Sequence, residues 1–486
     1  MVRSRSRAPS PKSDSPRMNR THFARRLASF GAAALVMATA PASAQQLSQQ
    51  GASRADSARF RLITLDPGHF HASLVQKFMY PDVDSVVWVY SAGGDDLKEH
   101  LARVESFNKR EEQPTHWVEK IYTGPDYLDR MIADRAGNIV VIAGNNARKT
   151  EYIARSIDAG LNVLADKPMV RTPADLIKLR HAFRTAAQKH VLLYDIMTER
   201  NEVTTALQRA LSMQPALFGT LVMGTTENPA ITKVSVHNYS KIVAGSPLKR
   251  PQWFFDVRQQ GEGIVDVTTH LVDLVQWEAF PGQTLKMGDV HMLSAKRWPT
   301  PISIAQFKKV TGADSFPDFL KGDVKGGVLQ VYSNGEMNYT LRGIHVKVSD
   351  SWQFEGPPGS GDTHFSIMRG TKANLMIQQG AEQKYKPVLY VERNPSVTPA
   401  AFESALNAAI AGLQQKWPGV AVHRDGDRFA VDVPAKYDVG HESHFAQVTS
   451  DFLRFLRDSS MPAWEVPNML VKYGTIMQAY EMSRAK

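Results

Sequence analysis

Short apolar runs recur between residues 61 and 195, and segments with helical periodicity lie between them. The runs are uniformly apolar, which is typical of parallel strands that are buried on both faces. Strands that alternate with helices predict a parallel sheet covered by helices on both sides. The predicted strands are Leu62–Leu65, Val86–Tyr90, Ile139–Ala143, Val163–Ala165 and Val191–Tyr194. The predicted helices are His71–Met79, Asp95–Phe107, Tyr127–Asp134, Lys149–Ala159 and Ala174–Lys189.

After Tyr194 the apolar and polar residues alternate, as in strands that bury one face. The pair Asn334-Gly335 is a strong signal for a two-residue hairpin turn. The chain is therefore predicted to be α/β, with a doubly wound parallel domain followed by an α+β domain whose sheet is mostly antiparallel. The strands of this second domain are predicted at Val328–Tyr332, Glu336–Leu341, His345–Val348, Phe365–Met368, Asn374–Ile377 and Val388–Val391. Its helices are predicted at Pro399–Gln415, His444–Asp458 and Val466–Ser483.

The composition is that of a globular protein. Of the 486 residues, 43% are hydrophobic and 22% are charged, which excludes a coiled coil, a collagen and a wholly disordered chain. Most of the net charge of +10 arises at the start, because residues 1–26 hold eight basic residues and one acidic residue. The remainder is nearly neutral, so no nucleic-acid partner is predicted. The absence of Cys excludes disulfides, thiolate metal sites and a Cys nucleophile.

The start of the chain has the three parts of an export signal. A basic region is followed by an apolar stretch that ends in Ala42-Ser43-Ala44 before Gln45, and Arg25-Arg26 resembles a twin-arginine signal. We expect residues 1–44 to be a signal peptide and residues 45–58 a linker, so that the protein is exported to the periplasm or secreted. The alternative is a retained N-terminal anchor. No later stretch reaches the roughly 20 apolar residues of a membrane span, so none is predicted after signal removal.

The loop after the first predicted strand reads Asp66-Pro67-Gly68-His69-Phe70-His71. In a doubly wound domain, ligands bind where loops leave the carboxyl ends of the strands, and a dinucleotide site has the pattern G-x-G-x-x-G there. Only the middle glycine is present, and it is the one that lets the backbone approach a pyrophosphate. We predict cofactor binding by this loop, and the alternative is a plain tight turn. The predicted binding residues are Pro67, Gly68, His69, Phe70 and His71.

Two further loops at this edge, Gly144-Asn145-Asn146 and Asp166-Lys167-Pro168, are predicted to bind the cofactor. Gly144, Asn145 and Asn146 form a polar loop suited to a nicotinamide ribose, although a helix-capping turn is an equal alternative. Asp95 and Asp96 lie beyond the place where a ribose-binding acid is expected, which leaves the choice between NAD and NADP open.

The third loop is Asp166-Lys167-Pro168, which follows the strand Val163–Ala165. A proline at this point fixes the direction of the Lys side chain at the mouth of the sheet. The alternative is a solvent-exposed Lys in a turn.

The segment from Gly261 to Asp273 combines charged and apolar residues in a helical pattern. If a helix begins near Ile264, then Asp266, His270 and Asp273 share one face. The apolar residues around them bury this face, and buried Asp and His side chains need partners and have shifted pKa values. The alternative is a satisfied structural pair. No metal site is predicted, because no third ligand at a fixed spacing is visible.

These motifs together resemble the glucose–fructose oxidoreductase / inositol dehydrogenase (Gfo/Idh/MocA) family. The family's Glu-Lys-Pro corresponds to Asp166-Lys167-Pro168, its Trp-rich lead into a Gly-Gly segment to Trp253 through Gly263, and its D-x-x-x-H pair to Asp266 and His270. The resemblance extends from Arg61 to the C-terminal helix. It implies a Rossmann domain over residues 59–195 and, over residues 196–486, a domain whose open sheet carries the substrate pocket and often an oligomer interface.

The resemblance also implies a tightly bound NAD or NADP and a small carbohydrate substrate, with hydride transfer at a secondary hydroxyl of a sugar, glycoside or cyclitol. His270 is the expected acid/base, because its unperturbed pKa lies near neutrality. Lys167 would orient the hydroxyl and support negative charge, and Asp266 would position the substrate or the imidazole. Substrate contacts are expected from Asn238, Tyr239, Arg250, Trp253, Asp273, Asp362 and His364.

Two other functions stay open at this stage. Transient oxidation beside a glycosidic carbon, followed by elimination and reduction, would cleave a glycoside without net redox change. A relative that has lost the cofactor would bind a glycan instead, which the altered glycine loop favours. The presence of Lys167, Asp266 and His270 speaks against a mere binding protein.

Overall fold

The computed structural model describes residues 59–243 and 246–485. The expected signal peptide, residues 1–44, and the expected linker, residues 45–58, lie outside the described residues. Within the described part, none of the helices has both the length and the apolar character that crossing a bilayer requires.

Six parallel strands form the first sheet of the described residues. They are β1 Leu62–Leu65, β2 Val86–Ser91, β3 Val118–Thr123, β4 Ile139–Ile142, β5 Asn162–Ala165 and β6 Leu193–Asp195. The helices between them are α1 His71–Leu74, α2 Asp95–Lys109, α3 Tyr127–Asp134, α4 Lys149–Asp158 and α5 Pro173–Lys189. The order β3-β2-β1-β4-β5-β6 confirms the predicted doubly wound domain. The strand order reverses between β1 and β4, and this is the switch point at which such sheets bind ligands.

Strand β3 was not predicted from the sequence. It lies at the edge of the sheet, and Val118 and Ile121 are 52% and 48% exposed. Because no apolar run marks it, backbone pairing with β2 defines the strand.

Helix α1 is a single turn that ends at Leu74, whereas the pattern predicts a helix through Met79. The Trp117 indole donates to the carbonyl oxygen of Gln76 at 2.6 Å. Arg110 donates to the next carbonyl oxygen at 2.6 Å. The Gln76 and Lys77 N–H groups donate to the carbonyls three residues earlier, at 2.9 and 3.2 Å, so the chain continues as turns after Leu74 and not as an α-helix. The Trp117 and Arg110 side chains bind the carbonyls of these turns.

The further strands are β7 Ile231–Asn238, β8 Ile242–Val243, β9 Ser246–Pro247, β10 Val290–Ile302, β11 Val324–Lys325, β12 Val328–Leu341, β13 Ile344–Gln353, β14 Thr363–Arg369, β15 Ala373–Gln379, β16 Val388–Arg393, β17 Ala421–Asp425 and β18 Arg428–Asp432. Apart from β8 and β9, they form a second, larger sheet whose main path runs β10-β12-β13-β7-β14-β15-β16-β18-β17. Neighbours pair antiparallel except β13 and β7, which confirms the predicted, mostly antiparallel sheet. A short strand, β11, pairs with β12, and β8 pairs with β9 outside the sheet.

The predicted hairpin turn at Asn334-Gly335 is wrong, because both residues lie inside the continuous strand β12. The Asn334 Oδ1 accepts a hydrogen bond from the Trp352 backbone N–H at 2.6 Å, which ties it to the neighbouring strand. A Cβ on Gly335 would lie 2.5 Å from the Ile264 Cβ. Glycine is therefore required here for close packing of the sheet on another segment, and not for a turn.

The helices of this part include α7 (Thr268–Ala279), which carries His270, and α11 (Glu465–Arg484), the last helix. Helix α11 packs against α7 and β10. Its Tyr473 hydroxyl donates to Asp195 Oδ2 at 3.0 Å, at the end of β6. Helix α11 therefore fixes α7 relative to the carboxyl edge of the parallel sheet. The helices are α6 Val203–Ser212, α7 Thr268–Ala279, α8 Ile304–Thr311, α9 Pro399–Leu413, α10 Gly440–Asp458 and α11 Glu465–Arg484.

Candidate active site

A cavity of about 580 Å³ lies between the carboxyl edge of the parallel sheet and the larger sheet. Its lining comes from the loops after β1 and β5, the start of α7, and strands β7, β14 and β15. Lys167, Asp266 and His270 all line it. The volume is in the range of small-molecule binding sites, so the structure brings the three predicted catalytic residues to a cavity of suitable size.

Lys167 and Asp266 form a buried ion pair in this cavity. Lys167 directly follows Asp166 at the end of β5, and its peptide bond to Pro168 is cis. The Lys167 Nζ lies 2.6 Å from Asp266 Oδ1, and the side-chain exposures are 12% and 6%. Gln260 Nε2 donates to the other carboxylate oxygen at 3.0 Å. Asp266 therefore positions the ammonium group, which keeps further N–H bonds for a substrate oxygen.

His270 faces the same cavity from the first turn of α7. Its Nδ1 is buried and has no hydrogen-bond partner among the described residues. Burial and, next, the charge of Lys167 lower the pKa of His270 well below its ordinary value of 6.5. The imidazole is therefore neutral at pH 7 and can accept a proton from a ligand.

The expected polar helix face is only partly present. Helix α7 begins at Thr268, so Asp266 lies in the turn before it. Asp273 does not line the cavity, and both of its oxygens accept from Arg200, at 2.6 and 2.8 Å. Lys472 Nζ donates to Asp273 Oδ1 at 2.9 Å. The structure therefore places Asp273, an expected substrate contact, in a buried ion-pair cluster.

The three loops predicted to bind a cofactor lie together at the carboxyl ends of β1, β4 and β5. A Cβ on Gly144 would lie 2.2 Å from the Asp66 carbonyl oxygen, so the first two loops pack closely. Asn145 Nδ2 donates to Gln259 at 2.7 Å. Pro67 is buried, Phe70 lines the large cavity, and Pro168 lies beside Gly261. A second cavity, of about 10 Å³, is lined by His69, His71, Gly144, Asn146, Asp166, Lys167 and Gln260, and Gly68 lines neither cavity.

Asp96, which the sequence pattern left outside the site, reaches the glycine turn. One of its carboxylate oxygens lies 2.9 Å from the position that a Cβ on Gly68 would take. The Trp253 indole donates to the same carboxylate at 2.8 Å. Burial raises the pKa of Asp96 to about 6. Trp253, an expected substrate contact, binds Asp96 and does not line the large cavity.

These residues fit a nicotinamide dinucleotide. The loops meet at the switch point of the sheet, and Gly68 has no side chain to fill the turn. The Asp66 carboxylate accepts from the Tyr152 hydroxyl at 2.8 Å. Asp96 can bind ribose hydroxyls, which is the role of an acid in this part of a dinucleotide site. Burial lowers the pKa values of His69 and His71 well below 6.5, so these rings offer an uncharged surface.

Of the expected substrate contacts, Arg250, Asp362 and His364 line the large cavity. Asn238 and Tyr239 do not, and they act as supports instead. Arg250 donates to the Tyr239 carbonyl at 2.8 Å and to the Asn238 carbonyl at 3.1 Å. The Asn238 backbone N–H donates to Asp362 Oδ1 at 3.0 Å.

Several residues of the candidate site were not predicted from the sequence. Gln260 precedes the Gly-x-Gly segment, lines both cavities and binds Asp266. Lys149 lies buried in the first turn of α4 and contacts the Asp166 carboxylate. A lysine within an apolar helical pattern was the available signal for this buried charge. The other missed cavity residues come from distant segments without a motif, and they include Glu199, Glu202, His237, Lys241, Trp352, Gln379 and His441.

Two family models match the chain. Residues 207–484 match the family described as "Putative oxidoreductase C terminal domain". Residues 85–194 match the "Oxidoreductase family, NAD-binding Rossmann fold". No curated protein matches the chain.

Solved structures resemble the whole described fold. A crystal structure described as "a putative oxidoreductase from Parabacteroides merdae ATCC 43184" is 53% identical, with a TM-score of 0.86, over 88% of this chain and 98% of that one. Levoglucosan dehydrogenase in complex with NADH and levoglucosan is 14% identical, with a TM-score of 0.55, over 87% and 97%. GenD2 from gentamicin A biosynthesis, in complex with NAD, is 13% identical, with a TM-score of 0.52, over 87% and 94%. The last two likenesses show the fold alone.

The fold and the cavity define an oxidoreductase with a Rossmann domain and a second domain built on a large open sheet. The chain belongs to the Gfo/Idh/MocA family of NAD(P)-binding oxidoreductases, in the group that carries the oxidoreductase C-terminal domain matched over residues 207–484. The resemblance drawn from the sequence motifs is thereby confirmed.

Proposed function

We propose that the protein is an exported NAD(P)-dependent oxidoreductase that acts on a secondary hydroxyl of a sugar, glycoside or cyclitol. The observation that carries this proposal is the pairing of a fixed ammonium and a neutral imidazole in one cavity. Lys167 is held by Asp266 at 2.6 Å, and His270 lines the same cavity. Alcohol oxidation needs both a group that stabilises the developing alkoxide and a base for its proton.

In the oxidising direction, the substrate hydroxyl donates its proton to the His270 imidazole. Lys167 donates a hydrogen bond to the same oxygen and stabilises its negative charge as the proton leaves. Asp266 keeps the ammonium in place and takes no proton. A bound nicotinamide would supply the acceptor for the hydride that leaves the carbinol carbon in this direction. In the reducing direction, a protonated His270 returns the proton to the oxygen.

The lining of the cavity supports a carbohydrate substrate. Trp352 and Phe254 offer aromatic surface, while Thr363, Asp362 and Gln379 offer hydrogen-bonding groups. Sugars present apolar C–H faces and a ring of hydroxyls, so such a mixture suits them. Levoglucosan dehydrogenase, a structure of the same fold, holds NADH and levoglucosan. This neighbour supports the substrate class at the level of the fold.

The test is to extract the cofactor from purified protein and to follow its redox state with substrates. Denaturation is expected to release NAD or NADP, identified by mass and absorbance, and about one equivalent is expected to remain through extensive dialysis. An exported enzyme cannot draw on the cytoplasmic NAD pool, which is the reason to expect tight binding. With a panel of sugars and glycosides, we expect reduced cofactor and a ketone product in equal amounts.

Two other outcomes would contradict this proposal. Free sugar released from glycosides without net NADH would indicate the redox-neutral elimination. Glycan binding by a protein that retains no cofactor, and gains no activity from added NAD or NADP, would indicate a cofactor-free binding protein.

The export part of the proposal rests on the basic region, the apolar stretch and the Ala42-Ser43-Ala44 sequence. We expect the mature protein to begin at or near Gln45 and to lie outside the cytoplasm. N-terminal sequencing of protein from the periplasmic or secreted fraction checks this. Material from that fraction that still begins at Met1 or Met18 would contradict it.

A further inference from the structure

Three potential metal ligands meet beside the loop after β1. The distance from His71 Nδ1 to Asp166 Oδ2 is 3.0 Å, and that from His69 Nδ1 is 3.8 Å. One ligand atom from each residue lies within 4.8 Å of the other two. Ligand atoms that each lie about 2.1 Å from one ion are about 3.0 to 3.4 Å apart at octahedral or tetrahedral angles. The distance between His71 and Asp166 falls in this range and that between His69 and Asp166 lies just outside it, so small side-chain movements would place all three ligand atoms around a single ion.

Two of the residues that line the same small cavity have buried amide oxygens without partners. Asn146 and Gln260 are 4% and 7% exposed, and their side-chain oxygens have no hydrogen-bond donor among the described residues. Their side-chain nitrogens are engaged, because Asn146 Nδ2 donates to the backbone carbonyl oxygen of Gln260 at 2.7 Å and Gln260 Nε2 donates to Asp266 at 3.0 Å. These nitrogen partners accept hydrogen bonds and so fix the orientation of both amides. A cation would satisfy the two oxygens, which otherwise remain buried and unpaired.

The surroundings prepare the Asp166 carboxylate as a ligand. Lys149 contacts its Oδ1 and leaves Oδ2 toward the two imidazoles. Such outer contacts orient ligands in metal sites. The charges of Lys149 and Lys167 are each balanced by an aspartate, Asp166 and Asp266. The cavity of about 10 Å³ has room for one water molecule or one ion.

We infer that His69, His71 and Asp166 bind one transition-metal ion, with Asn146 and Gln260 facing it. Two imidazoles and one carboxylate favour ions such as Zn²⁺, Co²⁺ or Fe²⁺ over Mg²⁺ and Ca²⁺. The sequence contains the His-x-His pair, but Asp166 lies 95 residues away from His71, so no local spacing revealed the third ligand. The same three residues are among those expected to bind the cofactor, but the inference does not rest on the proposed function, because its test measures metal content.

The experiment uses untagged mature protein that has been stripped with a chelator and then dialysed against Zn²⁺. We expect one equivalent of Zn²⁺ per chain by elemental analysis after gel filtration, and anomalous scattering at the zinc edge between the three side chains. Substituting Co²⁺ should give visible absorption bands of an imidazole-bound ion. A wild-type protein that retains no ion, or an anomalous peak elsewhere in the molecule, would overturn the inference and leave a water molecule in the cavity.

Variants assign the binding to these residues. In His69→Ala, His71→Ala and Asp166→Asn we expect the affinity for Zn²⁺ to fall by more than the roughly 10- to 100-fold that loss of an outer partner costs. His364→Ala is the matched control, because His364 lines the large cavity but is not part of the cluster. The His69 side chain is 19% exposed, so His69→Ala decides the matter if the other variants fail to fold. Zn²⁺ affinity in His69→Ala equal to that of the control would overturn the assignment.

Discussion

Replacement of His270 by Ala is expected to lower turnover by roughly 10²- to 10⁴-fold, because a positioned acid/base contributes that much. Replacement of Lys167 by Ala is expected to lower it by roughly 10²- to 10³-fold, because it removes charge stabilisation made mainly in the transition state. Lys167→Arg should rescue little, since a planar guanidinium cannot replace a compact ammonium. Steady-state turnover with any accepted sugar, measured per folded molecule, checks all three variants.

The pH profile separates catalysis from a structural role. Oxidation requires neutral His270, whose pKa is lowered by burial and by the charge of Lys167. Turnover should therefore be constant above about pH 6.5 and fall only as the pH drops through the lowered pKa. In Lys167→Ala the fall of the remaining activity at acid pH should shift to a higher pH, because one cause of the lowered pKa of His270 is gone.

Lys98→Ala is the matched control for Lys167→Ala, since Lys98 also pairs with an aspartate but is 78% exposed. It should leave both turnover and the pH profile unchanged. Turnover close to that of the wild type in both His270→Ala and Lys167→Ala would rule out their catalytic assignment. Retention of the cofactor in His270→Ala, together with an unchanged melting temperature, would show that lost turnover does not reflect unfolding.

The sequence was most informative where one local pattern determines the element. The buried strands of the first sheet are uniformly apolar, and β1 was predicted with its observed bounds, Leu62–Leu65. Strand β3 was missed, because an exposed edge strand is stabilised by backbone pairing that leaves no apolar run. The Asn334-Gly335 pair misled the turn prediction, because the glycine serves packing against Ile264, which only the tertiary structure reveals.

The candidate site likewise contains residues that local motifs predict and contacts that only the tertiary structure reveals. Lys167, Asp266 and His270 stand in short motifs, so they could be predicted without coordinates. The contact between Trp253 and Asp96 joins residues 157 apart in the chain and depends on how the two sheets pack. Asp273 has the helical spacing of a site residue, yet helix rotation directs it to Arg200 and away from the cavity. Spacing predicts which residues share a face, but not what covers that face.

A buried ion-pair cluster beside α7 yields the second large effect. Lys472 is fully buried, and its Nζ lies 2.6 Å from Asp195 Oδ2 and 2.9 Å from Asp273 Oδ1. Burial alone would raise the pKa of Asp273, but Arg200 and Lys472 hold it well below its ordinary value. In Lys472→Met, Asp273 keeps Arg200 as a partner. Among the described residues, Asp195 then keeps only the hydroxyl of Tyr473 as a side-chain partner. An uncompensated carboxylate is therefore left in the interior.

We expect Lys472→Met to lower the free energy of unfolding by about 3 to 5 kcal/mol, which is the usual cost of removing one partner from a buried pair. Denaturant unfolding, followed by tryptophan fluorescence, measures it. Lys98→Met, at an exposed pair, should stay within about 0.5 kcal/mol of the wild type. The double variant Lys472→Met/Asp195→Asn should recover part of the loss, because the carboxylate charge is gone and the remaining amide can still accept from Tyr473. Equal stability of Lys472→Met and Lys98→Met would mean that water or a neighbouring group compensates Asp195, and that the cluster does not hold α11 against the parallel sheet.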